Sequence, residues 1–119
     1  MMDPTTQWMQ AYERAWESND PADIRALFTE DAVLRNEPWT EPFHGHEAIV
    51  AQWLARRDEP GNHTFEWFPL VITDDLWVVQ GATDYTDGRT YSNLWVIRPG
   101  DGGRAREFTE WWMDQGSPS

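Results

Sequence analysis

The sequence contains no cysteine and no lysine. Without cysteine there is no disulfide framework, no thiolate nucleophile and no thiolate metal site. Without lysine, Schiff-base chemistry and a phosphate-cradling P-loop are excluded, and every fixed positive charge is an arginine. Positive charge is scarce in any form: 9 basic residues stand against 21 acids, a formal net charge of −12 at pH 7. Nucleic acid and anionic membrane would both be repelled by such a surface, so neither is expected as a partner. Long apolar runs are absent as well, and the opening Met1-Met2-Asp3-Pro4 has no basic segment leading into an apolar one. No stretch reaches the length that spans a bilayer, and the pattern reads as a cytoplasmic protein. With neither a dinucleotide fingerprint nor a Gly-x-Ser-x-Gly element, the chain implies no organic cofactor and no serine nucleophile.

What the chain does have is tryptophan, nine in 119 residues. An indole buries a large area while keeping one N–H that must find an acceptor, so this bias suits a small core or the walls of a pocket for a flat, apolar ligand. The length fits one domain, residues 1–119, with 115–119 as a frayed tail. Asp3-Pro4 is a helix cap followed by proline at the first helical position, and Trp8, Met9, Tyr12, Ala15 and Trp16 recur at helical spacing. A helix is predicted from about Pro4 to Ser18. Asn19-Asp20-Pro21 repeats the signal for a shorter helix burying Ile24, Leu27 and Phe28. Ala32 to Arg35 reads as a short strand and Asn36 to Gly45 as a loop. A third helix follows, with Ile49, Val50, Trp53 and Leu54 on one face and Arg56, Arg57 and Asp58 at its polar end. Four strands are then predicted at His63–Thr73, Leu76–Thr86, Thr90–Arg98 and Arg104–Asp114, separated by breaks short enough for hairpins.

The order helix, helix, strand, helix and antiparallel meander resembles the NTF2-like superfamily, and within it the SnoaL-like proteins. Tyr12 to Ala32 is similar to the family's opening helix, Asn-Asp turn and Leu-Phe-x-x-Asp-Ala element. Phe43-His44-Gly45-His46-Glu47-Ala48-Ile49 is similar to its glycine-led third helix, and Tyr91 to Trp95 with Gly103 to Trp112 to its last hairpin. The resemblance implies an α+β, cystatin-like cone: a strongly curved antiparallel sheet with three N-terminal helices on its concave face, commonly paired into a homodimer through the convex face. It also implies a pocket between helices and sheet, lined here by Trp16, Phe28, Asn36, Trp53, Gln80, Asp84, Trp95, Phe108 and Trp112. A compact apolar or aromatic molecule is the expected ligand.

Steroid isomerases of this superfamily carry a tyrosine on the first helix, which Tyr12 matches. Their base position falls on Asn36, next to Glu37, and their protonated-acid position falls near Leu94 or Trp95. Neither place supplies the required carboxyl group, so that reaction is not implied. The cyclase branch is a closer match, with an acid on the final strand acting beside a polar residue on the preceding one. By that resemblance Glu110, Tyr12 and Asn93 are the candidate catalytic residues. Strand parity puts Phe108, Glu110 and Trp112 on one face and Trp111 and Met113 on the other. If the first set faces the cone, aromatic neighbours desolvate Glu110 and raise its pKa. If the second does, Glu110 is a surface charge, and Arg35, Arg56 or Arg89 could neutralise it in either arrangement. His44-Gly45-His46 has no third ligand nearby in sequence, so no metal site is expected. A non-catalytic homodimeric module for ligand binding or protein interaction is the alternative reading.

Overall fold

Asp3 starts the first helix, α1 (Pro4–Ser18): its carboxylate accepts from the Thr6 N–H at 2.9 Å and Pro4 occupies the first turn, where a missing N–H costs nothing. The computed structural model describes residues 3–36 and 39–116. At the far end of α1, Asn19 takes the left-handed conformation (φ 52°), which asparagine tolerates at a helix terminus. Asp20 then caps α2 (Pro21–Arg25) through the Ala22 N–H. Phe28, expected at the end of that helix, instead begins β1 (Phe28–Arg35). The cause lies one residue earlier: the Leu27 carbonyl accepts from Ala105 N–H at 2.8 Å and from the Trp8 indole at 2.9 Å, which draws the chain into the sheet.

The predicted loop after β1 contains a two-residue strand, β2 (Phe43–His44), and α3 (Gly45–Ala55) follows it directly. Beyond it run β3 (His63–Ile72), β4 (Trp77–Tyr85), β5 (Thr90–Pro99) and β6 (Ala105–Asp114), each within two residues of its predicted bounds. The strand order is β2-β1-β6-β5-β4-β3. The four last strands form the expected antiparallel meander, but the sheet as a whole is mixed, because β1 pairs with β6 in parallel. The meander brings its final strand back across the sheet to cover the free edge of β1, whose backbone groups would otherwise lack partners. Register shifts at Pro69/Val71 in β3 and Arg98/Pro99 in β5 add bends to the curved sheet.

The core lies between the helices and the concave face. Trp8, Met9, Ile24, Leu27, Phe28, Ile49, Trp95, Ile97 and Phe108 are all buried there. Gly81 on β4 is a packing requirement: a Cβ built on it would lie 2.6 Å from the Phe65 ring, which covers the glycine and stacks on Trp95 at 5.0 Å. The tail expected to fray is tied in part, since Gln115 donates its N–H to the Thr90 carbonyl at 2.9 Å. No helix among the described residues is long and apolar enough to cross a membrane.

Candidate functional site

The pleat of β6 decides where Glu110 points. Trp95 on β5 and Glu110 on β6 are directly paired across the sheet, and both side chains turn to the concave side. The Trp95 indole N–H donates to Glu110 Oε2 at 2.8 Å. Phe108, Glu110 and Trp112 line one cavity of about 270 Å³, with Trp112 itself largely exposed, whereas Trp111 and Met113 are exposed on the opposite face. A space of that size suits a compact ligand.

Burial among these side chains raises the Glu110 carboxyl to about 7, against the smaller opposing pulls of the Trp95 hydrogen bond and the Arg56 charge. Among the described residues no arginine forms an ion pair with it. Arg35 reaches Glu107 at 3.3 Å, and Arg89 reaches Asp87 at 2.8 Å. Near neutral pH, Glu110 is therefore poised between acid and base. Tyr12 shares the cavity at the centre of an aromatic cluster, 4.5 Å from the Trp95 ring and 5.0 Å from that of Trp53. Burial, reinforced by Glu110, Tyr85 and Asp58, lifts its hydroxyl well above the ordinary tyrosine value, so it stays protonated as a donor. Asn93 is buried and accepts the Thr83 hydroxyl at 2.7 Å through Oδ1.

A second carboxylate enters the same cavity. The sequence pattern extends α3 to Asp58, but the helix stops at Ala55, with the Arg56 N–H sharing the Gln52 and Trp53 carbonyls. Asp58 thus sits in the following loop, where Asn19 clamps it: Asn19 Nδ2 donates to the Asp58 carbonyl at 3.0 Å while its Oδ1 accepts the Trp53 indole at 3.2 Å. Asp58 Oδ2 accepts from the Trp16 indole at 2.8 Å and from the Tyr85 hydroxyl at 3.0 Å. Burial, with Asp58 next in weight, pushes the Tyr85 phenol far upward, which keeps it protonated for this contact. Two carboxyl groups thus line one aromatic pocket, each fixed by indole or phenol donors.

The profile of the SnoaL-like domain family matches residues 9–117. The chain belongs to the SnoaL-like domain family. No curated protein matches it in sequence. Among solved structures, this SnoaL-like chain is similar to an NTF-2 like protein of unknown function from Burkholderia xenovorans LB400, with TM-score 0.74 and 15% identity over 98% of this chain and 88% of that one. It is also similar to SalBIII, described as an epoxide hydrolase/cyclase-like enzyme in pyran ring formation in the polyether salinomycin, with TM-score 0.69 and 15% identity over 91% and 89%. A third, RV0760c from Mycobacterium tuberculosis in complex with estradiol-17beta-hemisuccinate, gives TM-score 0.60 and 15% identity over 94% and 95%. At such identities the likeness establishes a shared NTF2-like fold.

Within this SnoaL-like fold the cavity brings together Tyr12, Asn93 and Glu110 with Trp16, Asn36, Trp53, Phe108 and Trp112. Trp95 and Phe28 are fully buried behind that wall, Trp95 as the anchor of Glu110. Gln80 and Asp84 do not reach it. They alternate with the inward Val79, Gly81 and Thr83, and so point to the convex side, where Asp84 accepts the Thr90 hydroxyl at 3.0 Å. Glu37, the acid next to Asn36, lies outside the described residues. His46 is occupied structurally, its Nε2–H donating to the Phe28 carbonyl at 2.8 Å. Sequence reasoning missed Asp58, Thr83, Tyr85 and Tyr91. For the last three a signal existed: counting out from the Asp87-Gly88 turn pairs Thr83 with Tyr91 and Gly81 with Asn93, all on one face. Asp58 had none, because its place depends on a long-range clamp from Asn19.

Proposed function

We propose that the cavity binds a compact apolar or aromatic molecule and that Glu110 exchanges a proton with it, in isomerase, cyclase or hydratase-type chemistry needing no cofactor. The observation that carries this reading is a carboxyl group held by the Trp95 indole inside an aromatic pocket, with its pKa at about 7. An acid of that strength is half protonated at working pH and can both give and take a proton. Tyr12 and Asn93 are assigned to orient the ligand: one offers a hydroxyl that burial keeps protonated, the other an amide whose oxygen is already committed to Thr83. Asp58, retained by two donors, acts as the companion base or as the charge that stabilises a developing cation.

The alternative, a non-catalytic homodimeric binding module, draws support from the convex face. Leu94 pairs with Trp111 and Ser92 with Met113 across β5 and β6, and on the same face β3, beyond β4, exposes Phe68 opposite Gln80 and, past its register shift, Val71 opposite Val78. An apolar sheet face of this kind suits pairing with a second copy, which sedimentation would detect, and dimerisation is compatible with both readings. Separating them requires ligand and time. A panel of apolar and aromatic compounds is titrated while the indole Nε1 resonances of Trp16, Trp53 and Trp95 are followed by NMR, and each binder is then incubated and checked for a new species. Binding followed by conversion in the wild type, with binding but no conversion in Glu110→Gln, supports the enzyme. Binding without conversion supports the module, and a panel that leaves all three indoles unmoved would overturn the pocket reading.

A further inference from the structure

Arginine is unevenly spread over a chain that is short of positive charge. Of the nine, Arg56, Arg57 and Arg89 all line the cavity. Arg89 is committed, its Nε bound to Asp87 at 2.8 Å and its guanidinium over the Tyr85 ring at 4.5 Å. Arg57 gives one N–H to the Leu54 carbonyl at 3.2 Å. Among the described residues no carboxylate pairs with either Arg56 or Arg57. With Glu110 protonated and Arg89 paired with Asp87, the remaining charged lining is Arg56 and Arg57 against Asp58, a locally positive concavity on a molecule of net charge −12. A cleft of one sign with apolar walls concentrates ligands of the other sign.

We propose that the cavity takes an amphipathic carboxylic acid, its compact apolar or aromatic body against Tyr12, Trp53 and Phe108 and its carboxylate on Arg56 and Arg57; this rests on the pocket reading above. A monoanion suits the site better than a phosphate, because Asp58 adjoins Arg57 and repels a second negative charge. The planar guanidinium also meets a carboxylate through two parallel hydrogen bonds. Occupancy would feed back on Glu110. Arg56 pulls the Glu110 pKa down, and a ligand carboxylate on Arg56 screens that pull, so that the bound anion helps Glu110 keep its proton.

Isothermal titration calorimetry at neutral pH with matched acid and amide pairs tests this directly: benzoate with benzamide, cinnamate with cinnamamide, and adamantane carboxylate with adamantane carboxamide. Charge-assisted hydrogen bonds predict that the acid of at least one pair binds about ten- to hundredfold more tightly than its amide. The exposed double variant R56Q/R57Q should erase that preference while amide binding persists. The control R14Q/R104Q, which removes the same charge from exposed arginines off the cavity, should keep it. Equal affinity for acid and amide, or a preference that survives R56Q/R57Q, overturns the anion inference and leaves the pocket reading intact. If no member of any pair binds, the pocket reading falls and the inference with it.

Discussion

Glu110 should make the protein's stability respond to pH in a direction opposite to ordinary acid denaturation, and replacing it with glutamine should remove that response. Glutamine keeps the shape and an oxygen for the Trp95 indole but cannot ionise. In the wild type, the Glu110 pKa rises from 4.5 to about 7 on folding. A group with a raised folded pKa contributes its stability in full below the unfolded value and loses it as pH climbs through the folded one. Well below pH 4.5 Glu110 is protonated in both states and well above pH 7 it is ionised in both, so the loss accumulates as pH rises past 4.5 and through 7. The rise from 4.5 to about 7 corresponds to about 3 kcal/mol over the window. Urea unfolding of wild type and Glu110→Gln across this range isolates the effect, because every other titrating group cancels in the difference. The variant should gain on the wild type by about 3 kcal/mol between about pH 4.5 and pH 8, then level off. A difference that stays flat across that range would refute the desolvated carboxyl and the chemistry built on it.

Further outcomes follow from the same contacts. Trp95→Phe removes the hydrogen bond that lowers the Glu110 pKa, so the carboxyl should titrate above its wild-type midpoint, as read by carboxyl carbon NMR. Asp58→Ala leaves the Trp16 indole and the Tyr85 hydroxyl without their shared acceptor and should cost about 2 kcal/mol by urea unfolding, whereas Asp58→Asn, which retains an oxygen, should cost less. Gly81→Ala sets a methyl against the Phe65 ring and the Glu66 carbonyl and should destabilise by about 1–3 kcal/mol, with a loss of near-UV circular dichroism as the Phe65–Trp95 stack is displaced.

Much of the scaffold can be read from local signals. Asp3-Pro4 and Asn19-Asp20-Pro21 mark both early helices because caps and prolines act on their own residues, and the turns at Asp74-Asp75 and Asp87-Gly88 delimit β3, β4 and β5. What stayed hidden depends on partners distant in sequence. Phe28 joins β1 because Ala105 and Trp8 claim the Leu27 carbonyl, and the sheet is mixed because β6 returns to cover β1. In the site, parity on β6 is enough to pair Glu110 with Phe108 and Trp112. The same parity applied to β4 turns Gln80 and Asp84 away once Thr83 and Asn93 face inward. Asp58 is the clearest case of a residue that local pattern misassigns: it resembles the polar end of a helix, yet Asn19, Trp16 and Tyr85 hold it at the pocket.

The most direct test is the titration of Glu110 itself, followed by the carboxyl carbon resonance of protein labelled at glutamate, with Glu110→Gln used to assign the signal. A midpoint near 7, above the usual value of 4.5, is expected for a carboxyl desolvated in the aromatic pocket. A midpoint near 4.5 would contradict it and leave Glu110 an ordinary solvated acid.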